Sequence, residues 1–148
     1  MHLLSRRVPL SLAAVSLAFL TSCQKNAATP EPRVVVERQL SLTNAQAEML
    51  PFEVRDGVAS NVRIEAVHLS GPKVAVLLLD KDGLARFRTT RRIAAYPALS
   101  NPSVEDRFDS GWHALPAAVY SIVTVQSQAE KSESKAAASV VNLRVYTR

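Results

Sequence analysis

The sequence predicts an all-β protein: a single antiparallel β-sandwich of about seven strands that follows a cleaved signal peptide and a short tether. Three observations predict this class. Apolar and polar residues alternate over several short stretches, turn-forming residues separate those stretches, and no amphipathic helical pattern of more than two turns follows residue 33. In such a fold two sheets pack face to face around one core.

Seven segments carry strand signals. They are RVVVERQLSLT (33–43), MLPFEVRDG (49–57), NVRIEAVHLS (61–70), KVAVLLLD (73–80), LARFRTT (84–90), AVYSIVTVQSQ (118–128) and SVVNLRVYTR (139–148). Pro51 cannot donate a ladder hydrogen bond, which predicts an edge position or a bulge for the second segment. A shift in the alternation after Ala66 predicts a β-bulge in the third. The fourth is almost wholly apolar, as expected for a strand that is covered on both faces.

The DKDG sequence after the fourth segment predicts a hairpin turn in which Gly83 takes a positive φ and an aspartate caps the turn. Asp80 and Asp82 have the spacing of the first ligands of a calcium loop, but such a site needs about six to eight oxygen ligands. Arg91 and Arg92 stand where a further acid would be required. We therefore expect a turn, with no metal site and no cofactor.

Three other segments fall outside the strand pattern. Residues 89–111 contain two prolines and predict a long irregular loop, a kind of segment that is often functional or mobile in compact domains. Residues 129–138 are small and polar, which predicts a disordered hairpin loop between the last two strands. Residues 44–50 are compatible with a single helical turn.

Candidate catalytic side chains are few. After residue 22 the chain has two histidines, His68 and His113, and Cys23 is its one cysteine. A zinc site takes roughly three or four nitrogen or sulfur ligands. Asp109, Ser110 and His113 are close in sequence, but adjacent residues of a strand point to opposite faces and do not form a triad. The sequence therefore predicts no catalytic residues and a protein that is not an enzyme.

The first 22 residues have the features of a secretory signal peptide. Arg6 and Arg7 give a positive start, and residues 8–20 form an apolar run of about 13 residues, which is too short to span a membrane. A small-residue segment then leads into Cys23. Removal of this signal leaves 126 residues, enough for one domain.

The segment Leu20-Thr21-Ser22-Cys23 resembles the lipobox of bacterial lipoproteins, which is an aliphatic residue, two small residues and a cysteine. The resemblance implies that the Cys23 thiol carries a diacylglycerol, that a peptidase cuts before it, and that its amino group is acylated. Two or more acyl chains hold a protein stably on a bilayer, since each buried CH₂ contributes about 0.8 kcal/mol.

The same resemblance implies an organisation and a location. Residues 1–22 would be the signal peptide, 23–33 the lipidated cysteine with a flexible tether, and 34–148 the sandwich domain. In lipoproteins of Gram-negative bacteria an Asp after the cysteine favours retention in the inner membrane. Gln24 occupies that position here, which resembles the outer-membrane case, so we expect the periplasmic face of the outer membrane.

Residues 111–125, GWHALPAAVYSIVTV, are similar to the L-P-A-G-x-Y-x-I strand entry of many bacterial sandwich domains. These include prealbumin-like repeats of surface adhesins and domains that follow secreted peptidases. Leu115, Pro116, Ala117, Tyr120 and Ile122 match, and Ala118 stands where glycine is usual. The resemblance implies a sandwich and transfers no activity.

A basic cluster with nearby aromatic residues is the candidate partner-binding surface. Its residues are Arg86, Arg88, Arg91, Arg92, Tyr96, Phe108 and Trp112. On a strand, Arg86 and Arg88 would share one face. Guanidinium groups bind carboxylates and phosphates, and arginine beside aromatic residues is a common composition of contact surfaces. The simpler alternative is a charged edge strand protected against aggregation, with the aromatic rings folded inward.

These observations favour a non-catalytic binding or assembly module of the bacterial envelope. It would contact the bilayer through Cys23, and an envelope protein or an anionic envelope component through the basic cluster. Nucleic acid is not an expected partner, because the net charge of +5 falls to +3 without Arg6 and Arg7. Two alternatives stay open: a periplasmic inhibitor or immunity lipoprotein that blocks an enzyme or toxin, and a small-ligand carrier.

Overall fold

The computed structural model describes residues 29–43, 46–55, 61–90, 95–126 and 137–148. Residues 1–22, predicted to be a signal peptide, together with Cys23, Arg91, Arg92 and residues 129–136, lie outside these ranges, so what the sequence predicts for them stays a prediction. The elements, in chain order, are β1 (Arg33–Leu42), β2 (Ala47–Val54), β3 (Asn61–Ser70), β4 (Val74–Leu79), α1 (Lys81–Thr90), a 3₁₀ turn (Pro97–Leu99), β5 (Asn101–Val104), β6 (Arg107–Asp109), β7 (His113–Ala114), β8 (Ala118–Gln126) and β9 (Ser139–Thr147).

The strands form two antiparallel sheets, which confirms the predicted all-β sandwich. Sheet A has the strand order β1-β9-β3-β6, and the short β7 also pairs with β3. Sheet B has the order β2-β8-β4-β5. The first four strands alternate between the two sheets, so consecutive strands in this part of the chain lie on opposite sides of the core.

The core lies between the sheets and is built from the inward-facing alternate residues of both. Sheet A contributes Leu40, Leu42, Val62, Ile64, Ala66, Val141, Leu143 and Val145, and sheet B contributes Phe52, Val54, Val74, Val76, Leu78, Val104, Tyr120 and Ile122. Each large apolar side chain buried in this way contributes about 1.5–3 kcal/mol, and their sum is the main term that opposes chain entropy.

The fourth strand is buried on both faces, as its apolar sequence predicts. Its outward residues Ala75, Leu77 and Leu79 pack with Val123 of β8 and with Phe87 of α1. The helix is therefore a third layer on the outside of sheet B. Within the described residues, no helix has the length and apolar character that crossing a bilayer requires.

The prediction of a turn and a strand over residues 80–90 is wrong, because a ten-residue helix occupies 81–90. Asp80 caps this helix: its carboxylate accepts a hydrogen bond from the Gly83 amide at 2.7 Å, and its carbonyl accepts one from Leu84 at 2.9 Å. Gly83 is buried in the first turn and does not take the predicted positive φ. Leu84 and Phe87, three residues apart, face sheet B together.

Three further predictions need correction. The segment 89–111 is not a long irregular loop, because it contains β5 and β6. The predicted helical turn at 44–50 overlaps the start of β2 at Ala47. The connection between β8 and β9 is not a hairpin, because those strands belong to different sheets. The described ranges hold nine strands rather than seven, since strands of two to four residues carry too little alternation to be detected.

Strands β1 and β2 are edge strands on the same side of the sandwich, which confirms the edge position predicted from Pro51. Arg38 of β1 and Glu48 of β2 lie in inner-face register, opposite Leu143 and Thr124 respectively. Inward charges, a proline and the bulge in β1 are features that protect exposed edges from pairing with another chain.

Candidate binding surface

Two of the four predicted arginines lie on α1. Arg86 and Arg88 are exposed on α1, outside sheet B, and Nη2 of Arg88 lies 3.7 Å from Sδ of Met49. Residues two apart on a helix do not share a face, so these two guanidinium groups do not form the paired row expected of a strand. Arg91 and Arg92 lie outside the described residues.

The predicted aromatic residues are not part of the same surface. Tyr96 packs against the core, with its ring edge-on to Tyr120 at 5.7 Å between centroids, and its hydroxyl donates to Oδ2 of Asp80 at 3.4 Å. Phe108 is half-buried against the core from sheet A. Trp112 is half-buried beneath Arg148, whose guanidinium carbon lies 4.3 Å from the ring centroid. The described members of the predicted set therefore lie on the helix, against the core, and between the strands β6 and β7.

The outer face of sheet A presents a different candidate surface. Its side chains are exposed or half-buried, whereas the outer face of sheet B packs under α1. The strand register places the following residues on this face: Glu37 and Gln39 of β1, Asn142, Arg144 and Tyr146 of β9, Arg63, Glu65 and Val67 of β3, and Arg107 and Asp109 of β6. One cross-strand row, Glu37–Arg144–Glu65–Asp109, runs over all four strands.

Arg63 is the centre of the polar contacts on this face. Its Nε donates to Oδ1 of Asp109 at 2.9 Å and its Nη2 to Oδ2 at 2.6 Å, a two-point pair between β3 and β6. The same Nη2 lies 2.6 Å from Oε1 of Glu65. Two-point arginine–carboxylate pairs fix orientation as well as distance. This pair therefore holds the three-residue β6 in register with β3.

The Arg63 guanidinium also controls the ionisation of its partner. Its hydrogen bonds to the carboxylate, helped by the backbone N–H of Gly111, lower the pKa of Asp109 from 3.8 to about 2. Partial burial opposes this shift but does not cancel it. Asp109 is therefore charged at any physiological pH, and this part of the surface keeps the same charge pattern throughout that range.

The remaining charged groups extend the network to both sides. Oε2 of Glu65 accepts a hydrogen bond from the Tyr146 hydroxyl at 3.3 Å, and Oε1 of Glu65 lies 3.9 Å from Nη2 of Arg107. At the β1 edge, Arg144 Nε donates to Glu37 Oε1 at 2.8 Å, and this bond raises the pKa of Arg144. The face thus carries three arginines and three carboxylates in fixed positions, with one tyrosine among them.

The side chains of Asp109, Ser110 and His113 do not assemble into a catalytic triad. The Ser110 hydroxyl accepts a hydrogen bond from the Ile64 amide at 2.9 Å and donates one to the Gly111 carbonyl at 2.8 Å. Nε2 of His113 lies 2.7 Å from the Ser110 carbonyl oxygen and not from its hydroxyl. In the described ranges no three His, Cys, Asp or Glu side chains are grouped as metal ligands.

A second polar surface lies at the end of the sandwich where residues 29–32 enter β1, which we call the tether end. An open groove of about 470 Å³ there separates the edge strands β1 and β2. It is lined by Pro30, Glu31, Arg33, Val35, Pro51, Phe52, Glu53, Arg55, Thr147 and Arg148. Three arginines from three separate parts of the chain thus converge on one groove.

The chain matches no protein-family model and no curated protein sequence.

The sequence alone predicts neither surface. The polar positions of β3 and β9 were visible as the outward half of each alternation, because Arg63, Glu65, Arg144 and Tyr146 sit between buried residues. Their meeting depends on the pairing of β3 with β9, which are separated by most of the domain. Alternation in one strand defines which residues face outward but not which strand lies beside it.

Proposed function

We propose that this protein is a lipid-anchored, non-catalytic binding or assembly module on the periplasmic face of the outer membrane. In this proposal Cys23 carries the acyl chains, and the outer face of sheet A contacts an envelope protein. The lipobox-like segment supports the anchor. The observation that carries the binding role is the difference between the two outer faces: α1 covers that of sheet B, whereas that of sheet A presents its ordered charges to solvent.

The composition of the sheet A face suits protein contact. Arginine and tyrosine are over-represented among residues that dominate binding energy, and here Arg63, Arg107, Arg144 and Tyr146 lie on adjacent strands. Ion pairs already fix Arg63 and Arg144, so less side-chain entropy is lost when a partner binds. A partner with its own alternating charges would match the rows of arginines and carboxylates.

Of the two alternatives, an inhibitor or immunity lipoprotein would use this same surface and differ only in what it binds. A small-ligand carrier is less well supported. The space between the sheets is filled by stacked rings and aliphatic side chains, with Phe52 and Tyr120 5.9 Å apart between centroids. The grooves that the described residues form are open and lie at the β1–β2 edge, outside the core.

Site-specific photo-crosslinking in intact cells tests the proposal. A photoreactive residue at Asn142, an exposed position on the outer face of sheet A, should capture a protein, whereas one at Arg86 on α1 should not. The charge reversal R107E/R144E should abolish the Asn142 adduct, and the matched reversal R86E/R88E should leave it intact. Thermal melting would confirm that both variants fold.

Each outcome bears on the proposal. An adduct from Arg86 alone would move the binding surface to the helix, and adducts from neither position would remove the partner role. If the captured protein is an enzyme or toxin whose activity the domain blocks, the inhibitor alternative replaces assembly. Mass spectrometry of the native protein should find an acylated Cys23 at the amino terminus, and a bare thiol would contradict the anchor.

A further inference from the structure

The tether-end groove combines three features: cationic side chains, exposed apolar residues, and closeness to the proposed lipid anchor. Arg33 opens β1, Arg55 follows β2, and Arg148 follows β9. In the described part of the chain, Arg33 and Arg148 make no ion pair with a carboxylate, and Arg55 pairs with Glu53 at 3.0 Å in an exposed position. Glu31 and Glu53 are the two acidic side chains that line the groove beside the three arginines.

Exposed apolar side chains lie at the same end of the sandwich, and one of them, Val35, lines the groove. Val34 and Val35 are 45% and 38% exposed at the start of β1, and Val119, opposite Glu53, is 58% exposed. They are three of the four large apolar side chains exposed in the described ranges. Trp112 lies under Arg148 at the same end. Arginine, tryptophan and valine together suit the boundary between water and lipid, where headgroups are charged and the layer beneath is apolar.

The sequence limits how far this end can stand from a membrane. Pro30, which lines the groove, is the seventh residue after Cys23. An extended chain spans at most about 3.6 Å per residue, so the groove lies within roughly 25 Å of the acylated position. The attraction of arginine to an anionic surface decays over a Debye length of about 8–10 Å. Such a short tether therefore keeps the groove where this attraction repeatedly acts.

We propose that the tether-end groove binds the headgroups of anionic phospholipids, so that the domain docks on its own membrane with this end down. The proposal rests on the acylation of Cys23 in the proposed function. Arg33, Arg55 and Arg148 contact the phosphates, and the exposed valines enter the interface. The strands then rise from the bilayer, and the outer face of sheet A stands to the side, open to a partner.

Trp112 provides the measurement, because it is the only tryptophan in the chain. The acylated mature protein is placed in vesicles that contain a trace of phospholipid with a nitroxide on its headgroup, which quenches nearby indole fluorescence. Vesicles of phosphatidylcholine alone are compared with vesicles that also contain phosphatidylglycerol. We expect stronger quenching in the anionic vesicles, and we expect added salt to remove the difference.

Two charge-matched variants locate the effect. An arginine near an anionic surface shifts docking by roughly fivefold, so R33E/R55E should lower the ratio of docked to undocked protein by at least about 25-fold. R86E/R88E makes the same change in net charge on α1 and should leave quenching unchanged. Arg148 stays in place, because its removal would alter the indole fluorescence directly. R33Q/R55Q gives a milder variant for use if charge reversal lowers the melting temperature.

The outcomes separate this inference from the proposed function. Equal quenching in the two kinds of vesicle, or equal loss in both variants, overturns headgroup binding. A change in Trp112 emission when inorganic phosphate is added to detergent-solubilised protein would show a soluble-anion site and overturn the lipid assignment. Absence of acyl chains on Cys23 by mass spectrometry overturns the proposed anchor itself, and it is determined before any vesicle is made.

Discussion

Arg63 and Asp109 are 46 residues apart in sequence and form a two-point ion pair on the outer face of sheet A, with donor–acceptor distances of 2.9 and 2.6 Å. Asp109 also accepts a hydrogen bond from the Gly111 amide at 3.0 Å. A single carboxylate therefore ties β6 to β3 and orders the residues that lead to Trp112. The shape of the proposed binding face depends on this contact.

The pair predicts a specific loss of stability in acid. Because the folded pKa of Asp109 is about 2 and its ordinary value is 3.8, the contribution is complete above pH 3.8 and disappears as the pH falls through 2. Urea unfolding at a series of pH values should show that D109N is less stable at neutral pH by about 1 kcal/mol. This is less than the pKa shift alone suggests, because the Asp109 side chain is 36% exposed and water screens the pair.

The control for this prediction is the acid limb of the titration. The stability difference between wild type and D109N should shrink between pH 4 and pH 2, since protonation removes the ion pair from the wild type as well. A difference that stays constant over that range would show that the amide perturbs packing rather than removing a charge interaction.

Replacing Gly71 with alanine should lower the stability of the fold more than the same change at Gly111. Both glycines have positive φ angles, of 87° and 67° respectively. A Cβ at Gly71 would meet the Ala138 carbonyl and lie 2.8 Å from the Cα of Ser139, whereas a Cβ at Gly111 meets nothing within 4 Å. Gly111→Ala should cost about 1 kcal/mol from backbone strain alone. Gly71→Ala adds a backbone clash and should cost more than about 2 kcal/mol. Urea unfolding of the two variants side by side measures this, and equal losses would contradict the close approach.

We expect the packing of Phe87 to hold α1 against sheet B. Its ring is 4% exposed and packs with Leu77, Leu79 and Val123. Phe87→Ala should cost about 3 kcal/mol and speed hydrogen exchange throughout α1, because the helix is too short to be stable without its packing. The exposed neighbour Arg86 is the matched control, and Arg86→Ala should change stability by less than about 0.5 kcal/mol. Helix amides that stay protected in the Phe87 variant would show that other contacts hold α1.

The comparison of β4 with α1 shows why part of the fold could be predicted from sequence and part could not. Six consecutive apolar residues predicted a doubly covered strand, and burial on both faces is a local property of that segment. In the next segment, residues 84–90, the arginines at 86 and 88 are two residues apart, as polar residues on one face of a strand would be. The signals for a helix were the Asp80 cap and the apolar pair Leu84 and Phe87, whose effect depends on the sheet they meet.

The candidate surfaces show the same limit. The alternation within each strand predicts that residues such as Glu65 and Arg144 face outward. The row that they form exists only because β9 lies between β1 and β3. The tether-end groove is built from Arg33, Arg55 and Arg148, which are distant in sequence and carry no shared motif. Which strands pair, and which distant parts of the chain meet at one end of the sandwich, depend on the topology of the fold. The alternation of residues within one strand does not determine that topology.

We expect the buried hydroxyl of Tyr120 to contribute to the stability of the sandwich. This fully buried tyrosine donates a hydrogen bond at 2.9 Å to the carbonyl of Pro116, four residues earlier, in the manner of the tyrosine corner of sandwich folds. Burial, with smaller contributions from Tyr96 and Asp80, raises the pKa of Tyr120 to about 12. Tyr120→Phe keeps the ring stacked on Phe52 and removes only the hydroxyl, so it should cost about 1 kcal/mol at neutral pH.

The alkaline limb makes this prediction specific. In the unfolded chain Tyr120 ionises near its ordinary pKa of 10, whereas the folded protein resists ionisation up to about 12. Its contribution is therefore complete below pH 10 and is lost as the pH rises through 12. Urea unfolding between pH 9 and pH 12 should show wild type losing stability more steeply than Tyr120→Phe. If Tyr120→Phe instead keeps the wild-type slope, burial of the Tyr120 hydroxyl is not what sets the alkaline limit.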